Sequence, residues 1–339
     1  MTSAQPPASP RPVPPPPRSV WPWIIIALLL GIITIVAMVW VGLSDLVPST
    51  QGERVLLEDV EDEQGVFVEI PVEGVIVDAK AGGPNPVHWV KTCLRDAARE
   101  PNLKGIILRV NSPGGGIRAS DQILAYLKSF KAEKQVPIVV YMTDVAASGG
   151  YYVSMASDWI VAHDDTITGS IGVIWSLMNW SELMNDKLGV RWNNITSADM
   201  KDIGSPNRDM TVEERALVQS YVDDAYGKFV GLVVEGRAGK GRVPVTDESV
   251  RALRSTILTG RRAFEKGLVD ELGFRHHAVE KLRQLAGVER ADVVEYRPPR
   301  TFFEELMSIE GPLTPLEQRL RRIELLHTKG SPLLALWER

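Results

Sequence analysis

The residues best suited to chemistry lie in DVAASGGYY at 144–152, directly after the apolar run 137–142. A serine at a strand-to-helix turn, flanked by residues with little or no side chain, exposes its Oγ and lets a substrate carbonyl approach the backbone. The helix that begins beside Ser148 adds the positive end of its dipole where an oxyanion would form. This is the logic of a nucleophile elbow without the G-x-S-x-G pattern, and the same residues equally suit a plain helix cap. A second run, NSPGGG at 111–116, follows the apolar segment 105–110. Three glycines ahead of a helix either offer unencumbered N–H groups to an anion or make a tight turn. If both runs end strands in neighbouring βα units, they share one crevice at the carboxyl edge of a sheet.

A serine nucleophile needs a base. His163, which precedes an acidic turn, would complete a triad; Lys201, in SADMKDIGSP at 197–206, would complete a dyad. A lysine in water, with a pKa near 10.4, is only ~0.1% neutral at pH 7.5. As a base it needs burial worth ~4 kcal/mol, a drop of roughly three pH units. Asp199 and Asp202 flank Lys201, and a carboxylate close to the amine works the other way, so both aspartates are expected to point away from the crevice.

Other chemistries find less support. GRAGKGR at 236–242 lacks the spacing of a phosphate-binding loop, and histidines at 88, 163, 276, 277 and 327 form no metal-ligand motif. No metal and no cofactor is expected. A single cysteine, Cys93, rules out an intramolecular disulfide framework. With 38 basic and 43 acidic residues, a net charge of −5 and no basic stretch, the chain has no footprint for nucleic acid.

The elements that must position these residues alternate. Residues 66–78 read as one or two strands, 86–100 as a helix, 105–110 as a strand, 117–130 as a helix, 137–142 as a strand, 149–156 as a helix and 159–162 as a strand. This βα alternation predicts an α/β fold with a parallel sheet covered by helices. Further on, 181–187 reads as a helix. Thr211 and Glu214 form a capping box opening a long helix, with Leu217, Tyr221, Val222, Ala225 and Phe229 as its apolar stripe. An amphipathic stretch at 316–326 is expected to pack on its own domain or on a sister subunit.

Ahead of these, residues 1–19 form a proline-rich tail expected to be disordered, and 20–43 read as one transmembrane helix. Thirteen of the twenty residues at 24–43 are Ile, Leu or Val. They favour insertion by about 4–8 kcal/mol. The apolar stretch is longer than a cleaved signal peptide requires and lacks a small-residue cleavage site. Arg11 and Arg18 before it, against Arg54 after it, place the tail in the cytoplasm and the rest on the non-cytoplasmic side of a cell (inner) membrane. An acidic linker occupies 44–65.

VAASGGYYVSMASD at 145–158, TGSIGV at 168–173 and KDIGSPNRDMT at 201–211 together resemble the signal peptide peptidase A family of S49 peptidases. NSPGGG and GLVDELG at 267–273 fit the same family. The likeness spans 66–285, leaving 286–339 as a C-terminal extension. It implies a ClpP/crotonase-like fold and a Ser/Lys dyad with Ser148 as nucleophile and Lys201 as base. It further implies that Ser170 orients the lysine and that Gly114, Gly115 and Gly149 form the oxyanion hole. The resemblance further implies a homo-oligomeric ring or dome, and leaves open whether serine and lysine of one site come from the same subunit or from different ones. The implied substrates are membrane-derived peptides, remnant signal peptides among them. Three alternatives stay open: a specialist that processes one membrane protein beside a stomatin-like partner, acyl-CoA chemistry on a related fold, and an inactive anchored scaffold.

Overall fold

The structure, a computed structural model, describes residues 53–60, 64–78 and 85–297. The proline-rich tail, the apolar segment 20–43 and the amphipathic stretch 316–326 lie outside the described residues. Among the described residues no helix is long and apolar enough to cross a membrane.

Among the described residues nine strands make one sheet: β1 (Glu53–Glu58), β2 (Val66–Ile76), β3 (Leu103–Gly115), β4 (Ile138–Ala147), β5 (Trp159–Ala162), β6 (Ile167–Gly169), β7 (Ile257–Thr259), β8 (Glu271–Leu272) and β9 (Asp292–Arg297). Their main order is β1-β9-β2-β3-β4-β5-β8. All pairs along it are parallel except β1 with β9. β6 branches off parallel to the far end of β4 and pairs antiparallel with β7. The α/β reading therefore holds. The sheet also takes in strands from segments read as linker and C-terminal extension, so the compact unit spans Gln51–Pro298.

Strand alternation divides the core in two. Val68, Ile70, Ile106, Leu108, Ile138 and Val140 point to one face, where they meet α1 (Pro86–Ala97) and α2 (Ile117–Lys134). Phe67, Ile107, Val139 and Val161 point to the other and meet Ala278, Val279 and Leu282 of α7 (Arg275–Ala286). Each such fully buried side chain favours the fold by roughly 1.5–3 kcal/mol. The second face also carries charge: Arg109 on β3 pairs with Glu69, Glu73 and Glu295, and Arg275 pairs with Glu69 and Glu58.

Between these helices come α3 (Gly149–Ser154), α4 (Val212–Arg237), α5 (Asp247–Ala252) and α6 (Gly260–Glu265). The capping box opens α4 as expected: Glu214 N–H donates to Thr211 Oγ1 at 3.1 Å, and Thr211 N–H to Glu214 Oε2 at 2.9 Å. At 26 residues α4 runs about 39 Å. Only its C-terminal half docks, through Phe229, Val230, Leu232 and Val233. Leu217 and Tyr221, two members of the expected stripe, are exposed.

Arg237, at the end of α4, is fully buried against Asp270. Its Nη1 donates to Asp270 Oδ2 at 2.8 Å and its Nε to the Gly267 carbonyl at 2.9 Å. Backbone N–H groups of Ile160 and Gly241 complete the carboxylate's partners. Part of the glycine-rich segment read as a basic loop is thus an internal clamp that fixes α4 to the sheet.

Candidate active site

Ser148 follows the last residue of β4 and caps α3 with φ +49° and ψ −116°. A non-glycine residue rarely accepts that backbone, so the surroundings must impose it. Its N–H donates to the Gly169 carbonyl at 2.9 Å. Ala147 and Gly169 are register partners of β4 and β6, so Ser148 and Ser170 are the next residues along two paired strands. Ser170 shares the left-handed backbone, with φ +50°, and its N–H donates to the Thr256 carbonyl at 3.0 Å. Both serines are half-buried.

The glycine run ends β3 as strand, not as turn. Val75 pairs with Gly114 and Ile76 with Gly115, and Gly116 caps α2. Close approach demands glycine here: a Cβ on Gly115 would lie 2.1 Å from the Ile76 carbonyl oxygen, and one on Gly114, at φ +98°, would lie 2.5 Å from the Gly149 nitrogen. Gly114 N–H donates to Ser112 Oγ at 3.1 Å, and that buried hydroxyl donates to the Gly74 carbonyl at 2.6 Å. A Cβ on Gly149 would lie 3.1 Å from the Gly115 nitrogen, so those two backbones are in contact.

A cavity of about 90 Å³ opens beside Ser148, lined by Gly115, Gly149, Ile117, Ser120, Tyr152, Gly172, Val173, Ile174, Ala225 and Phe229. Ser148, Gly115 and Gly149 are thereby brought to one crevice at the carboxyl edge of the sheet, and Gly114 packs directly behind it. The apolar walls come from four separate stretches of chain, and no local motif marks them. Tyr152 leans its ring edge-on to Phe229, with centroids 5.0 Å apart, and donates its hydroxyl to Asp121 at 2.7 Å. Burial pushes the Tyr152 phenol well above its ordinary range, with the Asp121 hydrogen bond adding to it.

His163 is elsewhere. It lines a different cavity with Tyr141, Asp144 and Phe274, and its Nδ1 accepts the Asp165 N–H at 3.2 Å. Cys93 is buried, and burial pushes its thiol up, away from the reactive thiolate. Among the described residues no group of histidine, cysteine and carboxylate side chains is arranged to hold a metal ion.

Lys201 lies in a short 3₁₀ turn, Asp199–Asp202, within an arm at residues 173–211 that leaves the sheet after β6 and returns at α4. The lysine is exposed and is not among the residues that line the Ser148 cavity. Its neighbour Asp202 is engaged by Arg208 and Asn194. Sequence reasoning passed over that arginine, although it stands within the KDIGSPNRDMT run.

A strand-end serine in a strained turn, glycine backbones on either side and an apolar crevice describe a hydrolase with a serine nucleophile. The family model for peptidase family S49 matches residues 130–289. A putative signal peptide peptidase SppA from Enterococcus faecium is 36% identical over 244 residues, covering 70% of this chain and 68% of that protein. A putative protease of Methanocaldococcus jannaschii is 39% identical over 60% of this chain and 63% of its own length. The chain belongs to peptidase family S49, and it is a serine peptidase. Among solved structures, the ClpP1 N165D mutant from Listeria monocytogenes aligns with a TM-score of 0.41 and 14% identity, over 62% of this chain and 94% of that one, too remote to carry an argument.

Proposed function

We propose that the protein is a membrane-anchored endopeptidase of ClpP/crotonase type that degrades remnant signal peptides and other membrane-derived peptides with Ser148 and Lys201. The observation that carries this reading is the half-buried Ser148 at φ +49°, packed against Gly114 and sharing an apolar cavity with Gly115 and Gly149. In the cycle, Ser148 Oγ attacks the scissile carbonyl carbon while its proton passes to neutral Lys201 Nζ. The N–H groups of Gly115 and Gly149 stabilise the oxyanion, whereas Gly114, expected as a third donor, spends its N–H on Ser112 Oγ and instead allows the close approach. The C–N bond then breaks and the lysine proton leaves with the amine. Water, deprotonated by the again neutral Lys201 Nζ, attacks the acyl carbon, and the lysine returns that proton to Ser148 Oγ as the ester C–O bond breaks. Ser170, beside Ser148 in the strand register, orients the lysine. An apolar crevice suits the apolar cores of signal peptides, and the segment 20–43 holds the chain in the inner membrane with the catalytic domain on the non-cytoplasmic side.

An exposed lysine is a poor base, so Lys201 must be buried by something beyond the described residues of its own chain. The arm supplies the means. Ile174, Met178, Trp192 and Ile195 are all more than half exposed, at 85%, 67%, 63% and 96%. Patches of that kind mark contacts between proteins. The occupant is a second copy of this chain, in a ring or dome where the arm of one subunit brings Lys201 to the Ser148 of the next.

The test uses the full chain in detergent and a leucine-rich signal-peptide substrate. Ser148→Ala and Lys201→Ala should each abolish cleavage without changing the assembled mass, and mixing the two after reversible dissociation should restore activity. Wild-type turnover by Lys201→Ala would remove the lysine from the mechanism. A mixture that stays silent would confine the dyad to one chain.

A further inference from the structure

Resting on the reading of Lys201 as the base, we propose that Arg208 is the positioning residue of the lysine turn, one guanidinium tying Asp202 beside the lysine to Glu214 at the start of α4. Its Nη2 donates to Asp202 Oδ1 at 2.7 Å and its Nε to Asp202 Oδ2 at 3.2 Å. Its Nη1 donates to Glu214 Oε2 at 2.8 Å, and Nη2 reaches Glu214 Oε1 as well. Glu214 is itself fixed, buried at 1% exposure and bonded to the Thr211 N–H. The fork therefore connects a 3₁₀ turn on an exposed arm to the first turn of a helix whose far end is clamped inside the sheet by Arg237 and Asp270. Lysine in place of arginine lacks the planar fork that spans two carboxylates.

The turn is pinned on other sides too. Lys201 N–H donates to the Ala198 carbonyl at 3.1 Å and Ser205 N–H to the Asp202 carbonyl at 2.9 Å. Trp180 N–H donates to the Pro206 carbonyl at 2.8 Å, and its indole to Asn207 at 3.1 Å. What these backbone bonds leave unset is charge. The titratable and charged groups around the turn are Asp199 and Asp202 on it, Arg208 after it and Glu214 from α4. Asp209 and Arg215 share a cavity wall with Arg208. Asp202 and Glu214 are both held below the usual carboxylate range, in each case chiefly by the hydrogen bond from Arg208. Both therefore stay ionised through the working range, and Arg208 offsets the carboxylate adjoining the lysine. Without that offset Asp202 favours the protonated amine, which cannot act as a base.

The sign of the effect separates this role from scaffolding. Arg208→Met leaves Asp202 uncompensated, so the acid limb of the kcat/KM profile should move to higher pH by about one unit, costing roughly tenfold at neutral pH. Asp202→Asn removes the carboxylate and should move the limb to lower pH. The double variant should bring it back near wild type. Arg208→Lys keeps a positive charge and should keep the limb in place, while kcat falls because the fork is gone. These profiles are measured on the full chain in detergent, with assembled mass and Tm recorded for each variant. Limbs of Arg208→Met and Asp202→Asn that coincide with wild type, or that move in the same direction, overturn the role of Arg208. Should Arg208→Met fail to assemble, Arg208→Lys decides: a lower kcat with the limb in place supports the role, and a kcat equal to wild type overturns it. Lys201→Ala at wild-type turnover would instead overturn the lysine reading itself.

Discussion

Around Ser148 the neighbouring elements are finished: β4 is buried at Ile138, Val139, Val140 and Met142, and Gly149 to Ser154 of α3 are all buried. Around Lys201 they are not. The arm carries no buried residue in its π-helical turn (Leu183–Lys187) or its 3₁₀ turn, and polar latches hold it where the core holds the serine. The sheet edge fixes its serine by strain, register and glycine contact within one chain. The arm fixes the shape of its turn but leaves the apolar surface around it uncovered. One region is complete as folded, and the other presents the apolar surface that the proposed neighbour would cover.

The first way to break that comparison is at Ser148. Replacing it with alanine should lower peptide turnover by about four orders of magnitude or more, with assembled mass and Tm close to wild type. Residual turnover within tenfold of wild type would move the nucleophile elsewhere.

The clamp that joins the two regions comes next. Asp270→Ala leaves the buried Arg237 guanidinium without its carboxylate, and breaking one partner of such a pair costs about 3–5 kcal/mol. Tm should fall by about 10 °C or more. An unchanged Tm would mean that the far end of α4 is not held by this pair.

A smaller but sharper effect is expected from Gly115→Ala. The added Cβ would lie 2.1 Å from a backbone oxygen of β2, so the strand end must shift, at a cost of about 1–3 kcal/mol. Since the same shift would displace a proposed oxyanion donor, kcat should drop by more than stability does, read as turnover against Tm in one preparation. Equal losses would make Gly115 a packing residue only.

How much of this was legible in the sequence follows the same division. The α/β class, the strand before Ser148, the α1 and α2 helices and the capping box at Thr211 all rest on local patterns, and all are present. Ser148 and the Gly114–Gly116 run announced themselves because tight approach needs small residues in fixed places. The extent of β3 was hidden, since Asn111 to Gly115 read as turn chemistry until β2 supplied a partner. The cavity walls were hidden for a related reason: Ile117, Tyr152, Ile174 and Phe229 are ordinary apolar residues until four segments meet. The stripe was legible as a pattern, but its members Leu217 and Tyr221 are exposed, Tyr221 meeting Trp175 of the arm edge-on with ring centroids 6.0 Å apart. Arg208 went unread and Arg237 was read as part of a basic loop, because sequence shows no distance to Asp202, Glu214 or Asp270.

The least effect on stability is expected where the comparison is most exposed. Ile195 and Met178 contact little in the single chain, so Ile195→Ser combined with Met178→Ser should change the unfolding free energy of the subunit by no more than about 0.5 kcal/mol per site. Their removal nevertheless takes apolar surface from the face that a second copy would cover. The double variant should therefore sediment as a smaller species than wild type, with peptide turnover falling in proportion to the lost assembly. At high protein concentration both should recover together, because mass action offsets a weakened contact. An assembled mass and turnover equal to wild type at all concentrations would show that the arm is not the surface that completes the site, and the burial of Lys201 would have to come from elsewhere.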